Sequence, residues 1–147
     1  MGTASSVICS KNACGKSCVE TIRPTDSVLE AARLMNERRI GSLVVMHEHK
    51  IAGIVTERDI LTRVVAMQRD PASTPVSVVM TRDVYAAEPG HTIEDLRAAM
   101  RNRRIRHVPI VENGQLVGMV SIGDLNAHVH AELAETITSL EAYIAQG

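Results

Sequence analysis

The sequence contains no phenylalanine and no tryptophan, and its 147 residues carry only two tyrosines, Tyr85 and Tyr143. A chain so poor in rings cannot build the stacking platform that holds single-stranded nucleic acids. Any base it binds must lie against aliphatic walls. An excess of one charge is lacking too: 16 Lys and Arg stand against 17 Asp and Glu, a formal net charge of −1. Neutralising a phosphate backbone needs a clustered basic excess, so nucleic acid is not expected as a partner. No apolar run approaches the roughly 20 residues of a membrane helix. Met1 to Ser6 lack the basic start and apolar stretch of a signal peptide, so the chain is expected in the cytoplasm with no membrane contact. Cysteine is scarce, at Cys9, Cys14 and Cys18. An odd number without an export signal argues against a disulfide framework and for reduced thiols. What is present, 45% apolar and 22% charged residues, suits a globular unit with a real core.

The dominant positive feature is an internal repeat. Sliding the chain by 65 positions aligns Pro24 with Pro89, Met35 with Met100 and Arg38-Arg39-Ile40 with Arg103-Arg104-Ile105. The same offset aligns Gly53 with Gly118, Val55 with Val120 and Asp59 with Asp124, with no gap from Pro24 to Val129. Where identity fails, chemistry is kept: Val28 matches Ile93, Val45 matches Ile110, and Thr56 matches Ser121. A missed repeat mis-assigns a whole fold; here the chain is two copies of one unit.

Each copy reads as strand, helix, two strands, helix. In the first, Ser27 and Glu30 have capping-box spacing, and Val28, Ala31, Ala32 and Met35 follow at helical period to about Arg38. Leu43-Val44-Val45-Met46 and Ile51 to Val55 bracket a polar turn and read as a hairpin. The matching turn in the second copy holds Asn113-Gly114, a pair suited to positive φ. A second helix then opens at Thr56 and carries Ile60, Leu61, Val64 and Val65. Short extended pieces around Thr21-Ile22 and Val84-Tyr85-Ala86 are expected ahead of the helices. The division expected is 8–69 for the first repeat, 76–130 for the second and 131–147 for a C-terminal helix. Asp70 to Pro75 is too short a connector to let the repeats drift apart. A copy of about 60 residues is marginal alone, so each is expected to lean on the other. Beyond the second copy, Val129, Leu133, Ile137, Leu140 and Ile144 continue an apolar helical stripe. Such a stripe faces a partner or folds back on its own module; a partner is the expectation.

At the end of the second hairpin strand, each copy passes into a helix through Thr56 or Ser121, with Asp59 or Asp124 three residues on. One such Thr/Ser-x-x-Asp is close to a capping box and needs no ligand to explain it. Twice in register, it admits a second reading. A helix start after a strand offers N–H groups and partial positive charge to a phosphate. An acceptor-only carboxylate one turn in can take two hydrogen bonds from a ribose diol. Ile22, Leu43, Val84 and Val108 on the neighbouring strands could line a base pocket.

The stretches Arg39-Ile40-Gly41-Ser42-Leu43-Val44-Val45, Gly53-Ile54-Val55-Thr56-Glu57-Arg58-Asp59, Arg104-Ile105-Arg106-His107-Val108-Pro109-Ile110 and Gly118-Met119-Val120-Ser121-Ile122-Gly123-Asp124 resemble two CBS (cystathionine β-synthase) domains in tandem. Such a pair, often called a Bateman module, would cover about Ile8 to Val129, and the chain is similar to small stand-alone bacterial CBS-pair proteins. The resemblance implies an α/β (α+β) fold of two repeats packed as one pseudo-two-fold module, with a C-terminal helix. It implies a non-catalytic regulatory module that binds AMP, ADP, ATP, NAD(H) or S-adenosylmethionine in the cleft between repeats and signals through shape or association. Asp59 and Asp124 would hold ribose, Thr56 and Ser121 would contact phosphate, and the ligand would be no catalytic cofactor. A flat homodimer acting on a downstream protein is implied as well. The copies differ in charge: Arg58 corresponds to Gly123, and Gly41-Ser42 becomes Arg106-His107. Arg58, Arg106 and His107 are therefore candidate phosphate groups, although each also suits a solvated surface or, for His107, a buried site. A ribose-binding carboxylate would repel a 2′-phosphate, so NADP(H) is expected to bind poorly.

Other signals carry less. Gly15-Lys16-Ser17 resembles the end of a P-loop, but Ser10 stands where its first glycine is required. The cysteine spacing fits no standard zinc or iron–sulfur pattern, and no metal site is expected. The Arg101 to Arg106 cluster partly repeats Arg38-Arg39 at a helix C-terminus, where cations suit the dipole. No nucleophile elbow, His-Glu-x-x-His or Cys-x-x-Cys occurs, so no catalytic residue is expected. The alternative function is an adaptor or scaffold dimer whose N-terminal thiols sense redox state or metal.

Overall fold

The computed structural model describes residues 2–12 and 19–146, with the side chains of 10–12 left aside. Its elements are α1 (Ala4–Asn12), β1 (Thr21–Ile22), α2 (Val28–Arg38), β2 (Ser42–His47), β3 (Lys50–Thr56), α3 (Glu57–Ile60), α4 (Val76–Val79), α5 (Ile93–Arg103), β4 (His107–Glu112), β5 (Gln115–Ser121) and α6 (Ile122–Gln146). The fold is mixed α/β, with the two repeats legible as matching helix–hairpin–helix series and a long C-terminal helix.

The chain forms two compact units. One comprises Cys18–Ala86 with Val111–Val117; the other comprises Ala87–Ile110, Gly118–Gly147 and the Met1–Ser17 segment. Chain order would keep each helix with its own repeat, but the units exchange the helices that precede them. In the first unit, Ser27 bridges Pro75, Val76 N–H donates to the Asp26 carbonyl at 2.8 Å, and Ser77 N–H donates to Pro24 at 3.0 Å. In the second, Thr92 bridges Thr3, Ala4 N–H donates to His91 at 2.8 Å, and Ser5 N–H donates to Pro89 at 3.0 Å. Thus α4 completes the first unit and α1 the second, through the same backbone bonds.

In the first unit, β1 runs parallel to β2 through Thr21↔Val44 and Ile22↔Val45, and β2 pairs antiparallel with β3 around a bulge at Val45/Met46. The helix α2 starts at a complete Ser27–Glu30 capping box and stops where Arg39 turns left-handed at φ 55°. Its apolar face, Val28, Ala31 and Met35, packs with Leu43, Val45, Val55, Val64, Val76 and Val79 in one core. Gly53 lets the following segment lie directly on the sheet: a Cβ there would sit 2.7 Å from the Thr81 carbonyl oxygen and 2.8 Å from Met80 Sδ. Both hairpins turn through left-handed pairs, Glu48-His49 in the first repeat and Asn113-Gly114 in the second. This is the backbone that the right-handed twist of two-residue hairpins favours.

Two expectations change. The extended piece at 84–86 is not a strand; the second repeat has a single parallel bridge, Ala87↔Ile110, with Ala87 N–H donating to the Pro109 carbonyl at 2.9 Å. This bridge matches Ile22↔Val45 of the first repeat. There the ladder extends one pair further because Val44 N–H donates to Glu20 at 3.4 Å. Pro109 occupies the place of Val44 and has no N–H, so the ladder stops. The second helix of the first repeat is not one α-helix either: α3 gives way to a π turn, Leu61–Val65, which buries Val64 but leaves Leu61 and Val65 62% and 63% exposed.

In the second unit, α5 mirrors α2 with a Thr92–Asp95 capping box and a left-handed Arg104 at its end. α6 packs on α1 and α5 through its early turns, where Leu125 is buried and Asn126 Oδ1 accepts from Arg97 Nη2 at 3.1 Å. Beyond His130 the whole of α6 is exposed among the described residues. No helix among the described residues is long and apolar enough to cross a membrane.

Candidate functional site

Each hairpin ends at a strand-to-helix junction of the same construction. At the first, Thr56 is extended (φ −120°, ψ 166°), its Oγ1 accepts Asp59 N–H at 3.2 Å, and Asp59 Oδ2 accepts Thr56 N–H at 3.0 Å. At the second, Ser121 Oγ accepts Asp124 N–H at 3.1 Å and Asp124 Oδ2 accepts Ser121 N–H at 2.8 Å. The first helical N–H is also taken in both: Glu57 N–H donates to Gly41 at 3.0 Å, and Ile122 N–H donates to Arg106 at 2.8 Å. These bonds tie the start of β2, or of β4, to the junction. At the second junction they hold the Arg106 backbone beside the Ser121–Asp124 pair.

Both hydroxyls act as acceptors here, so each still has an O–H proton to give. The junctions differ in what surrounds the acid. Asp59 is only 7% exposed, and its Oδ1 faces the Thr81 hydroxyl, which donates at 3.4 Å, and Arg63 Nη1 at 3.6 Å. Arg63 itself donates to the Val79 and Met80 carbonyls at 2.8 and 3.1 Å. Asp59 therefore braces α3 against the segment after α4. Asp124 is half-buried. Beside it, a Cβ built on Gly123 would find only Ser121 Oγ, at 3.6 Å, so the backbone there is open to an approaching group. Asp124 stands in the first turn of a 25-residue helix, whereas α3 has four residues and runs on into the π turn at Leu61–Val65. The aligned peptide dipoles favour an anion more at the second junction.

The remaining sequence candidates fall as follows. Arg58 and Arg106 are exposed, His107 is half-buried, and Val84 is half-buried. Ile22 lies in the core of the first unit with Leu43, and Val108 is fully buried. The side chains of these three fill cores, and Leu43 and Val108, at 0% exposure, leave no atom accessible to a base. Sequence reasoning missed Arg63 and Thr81. Arg63 was within reach of a sequence argument, since it stands one helical turn after Asp59. Thr81, far along the chain, carries no local signal. Sequence reasoning also missed a groove of about 550 Å³ between the end of α2 and the start of α3, lined by Met35, Asn36, Arg39, Ile40, Glu57 and Ile60 among others, but not by Thr56 or Asp59.

Among the described residues, no group of three or more His, Cys, Asp or Glu could hold a metal. Cys9 is exposed on α1; Cys14, Cys18 and Gly15-Lys16-Ser17 lie outside the described residues. His128 makes a 3.3 Å contact with Glu132 within α6.

The CBS domain profile matches residues 16–66 and 76–131. The chain is 38% identical over 107 residues to the CBS domain-containing protein YhcV of Bacillus subtilis, covering 73% of this chain and 76% of that protein. It is 35% identical over 127 residues to the mitochondrial CBS domain-containing protein CBSX3 of Arabidopsis thaliana, covering 83% of this chain and 62% of that protein. The solved structure of a Burkholderia ambifaria protein with CBS domains superposes with a TM-score of 0.84 at 38% identity, over 88% of this chain and 94% of that one. With the profile spanning well over half its length, the chain belongs to the CBS-domain family, as a small protein of two tandem CBS domains homologous to the stand-alone bacterial members.

Proposed function

We propose that this protein is a regulatory ligand sensor that binds an adenosine nucleotide, AMP, ADP, ATP or NAD(H), and passes the signal on through its shape or association as a homodimer. CBS pairs of the stand-alone type are typically non-catalytic regulatory modules, which supports this reading. The observation that carries the reading is the twin junction: a hydroxyl with a proton to give beside an acceptor-only carboxylate, built twice by the same reciprocal bonds at 2.8–3.2 Å. Phosphate oxygens accept and ribose hydroxyls donate, so the pair is complementary to a sugar–phosphate.

The two sites are unequal in this reading. The Ser121–Asp124 junction takes the ligand first, because its acid is the more accessible, its helix is the longer, and Arg106 adds a cation near the phosphate. At the first junction Arg58 plays that part, but ribose must displace Thr81 and Arg63 from Asp59. Titration calorimetry with AMP, ATP, NADH, NAD and S-adenosylmethionine is the test. Heat of binding for at least one, with NADP bound more weakly than NAD, is expected. No heat and no thermal shift at saturating ligand would refute the sensor and favour the adaptor reading. In that case, changing the three cysteines to serine and measuring metal content and oxidant response becomes the relevant experiment.

A further inference from the structure

The largest exposed apolar surface of the second unit lies on one face of α6. Leu133, Ile137, Leu140 and Ile144 follow one another at spacings of four, three and four, and they are 55% to 74% exposed. This is a heptad pattern with isoleucine at a (Ile137, Ile144) and leucine at d (Leu133, Leu140). In a parallel coil, branching at Cβ in a with leucine at d favours two strands over higher assemblies. From Ala131 to Gln146 no residue of the helix is buried, and a lone helical stretch of this length is marginal in water. The early turns, packed on α1 and α5, supply the nucleus, and the stripe supplies the seam.

Charge decides what can lie on that seam. α6 has no lysine or arginine. In the heptad register Glu132 falls at c and Glu135 at f, both pointing away. Glu141 falls at e, and across a parallel seam an e residue meets the g residue of the partner's preceding heptad, which is Thr136. No two acids face each other, so a second copy docks without like-charge repulsion. The area is also sufficient. With Tyr143 at g, five apolar side chains more than half exposed present about 500 Å², at the upper end of what a lone surface carries. Doubling across a two-fold gives about 1,000 Å², the lower bound of a specific interface.

We propose that α6 pairs with α6 of a second copy as a short parallel coiled coil through Leu133, Ile137, Leu140 and Ile144. The proposal rests on the reading that the chain self-associates, names the surface that does it, and is independent of nucleotide binding. The test uses the full chain with Cys9, Cys14 and Cys18 changed to serine. Ile144→Cys places a thiol on the seam, and Ala142→Cys places one at the outward f position. Under mild oxidation Ile144→Cys should yield a disulfide-linked pair and Ala142→Cys should not, and adding Ile137→Lys with Leu140→Lys should abolish the link. Equal linking at both positions, or no link at Ile144→Cys, overturns the parallel coil. Light scattering separates the two readings. A two-chain mass for the wild type with no link at Ile144→Cys overturns the coil but leaves self-association standing, and a one-chain mass for the wild type overturns both. All four seam residues are exposed in the single chain, so the variants fold.

Discussion

Replacing Asp124 with asparagine separates the two jobs a junction carboxylate can do. Asp124 Oδ2 accepts Ser121 N–H at 2.8 Å, and the amide oxygen of asparagine can take over that bond, so the helix cap survives. What the cap loses is the charge at the positive end of α6, worth about 0.3–1 kcal/mol, or a fall of roughly 1–4 °C in the unfolding midpoint of a chain this size. The ligand loses more. A carboxylate offers acceptors only, whereas the amide offers one acceptor, already engaged by Ser121, and two donors that face the donors of a ribose diol. A hydrogen bond to a charged acceptor contributes about 1.5–3 kcal/mol, so the dissociation constant should rise about 10- to 150-fold. Calorimetry at 25 °C, with whichever of AMP, ATP or NADH binds the wild type, measures the affinity; thermal melts without ligand measure the cap. A dissociation constant equal to the wild-type value refutes the ribose assignment whatever the midpoint does.

Asp59→Ala should act mainly on stability, since it removes the bond to Thr56 N–H and the contacts with Thr81 and Arg63. A lost cap costs about 1 kcal/mol and a stranded donor about 1–3 more, and circular-dichroism melts should show a midpoint lower by roughly 4–12 °C; an unchanged midpoint contradicts the bracing role. Gly53→Ala pushes a methyl against the Thr81 carbonyl oxygen, 2.7 Å from the Cβ position; overpacking of that kind costs about 1–3 kcal/mol, whereas Gly90→Ala, with no atom within 4 Å of its Cβ position, should be nearly neutral in the same assay. Asp26 carries a pH signature. Burial pushes its carboxyl up, but the backbone N–H and guanidinium of Arg23 outweigh burial and hold it below the ordinary 3.8. A lowered folded value stabilises above the unfolded one, so the wild type's advantage over Asp26→Asn should be present above pH 3.8 and fade as the pH falls below it; a gap in midpoint that does not depend on pH excludes this linkage.

Local chemistry explains what the sequence disclosed. The caps at Ser27, Thr56 and Thr92 depend on residues three apart, and the Asn113-Gly114 turn depends on two adjacent residues, so both could be read without tertiary information. The exchange of α1 and α4 could not be read in the same way. The 65-residue offset aligns the repeat bodies, but the helices that complete them align at another offset, Ser5 with Ser77 and Val7 with Val79. That offset spans too few residues to stand out. The π turn was hidden for a different reason: Leu61, Val64 and Val65 satisfy helical period, and only packing decides that Val64 alone is buried.

The same limit governs the site. Sequence gives both junctions the same hydroxyl–acid pair, so it cannot rank them; the ranking comes from neighbours distant in the chain. Thr81, 22 residues from Asp59, and Arg63, which is anchored on the Val79 and Met80 carbonyls, close the first acid in. The second junction has Gly123 in place of Arg58, which leaves its backbone approachable, and Arg106-His107 in place of Gly41-Ser42, which puts the added cation just ahead of β4 instead of on the helix. Two copies that share one capping rule thus divide its uses. Where the acid is locked to a distant segment, the cap is part of the core's architecture. Where the acid is half-buried at the head of a long helix, the same cap keeps a hydroxyl proton to give beside a carboxylate, the pairing on which the proposed sugar–phosphate site rests.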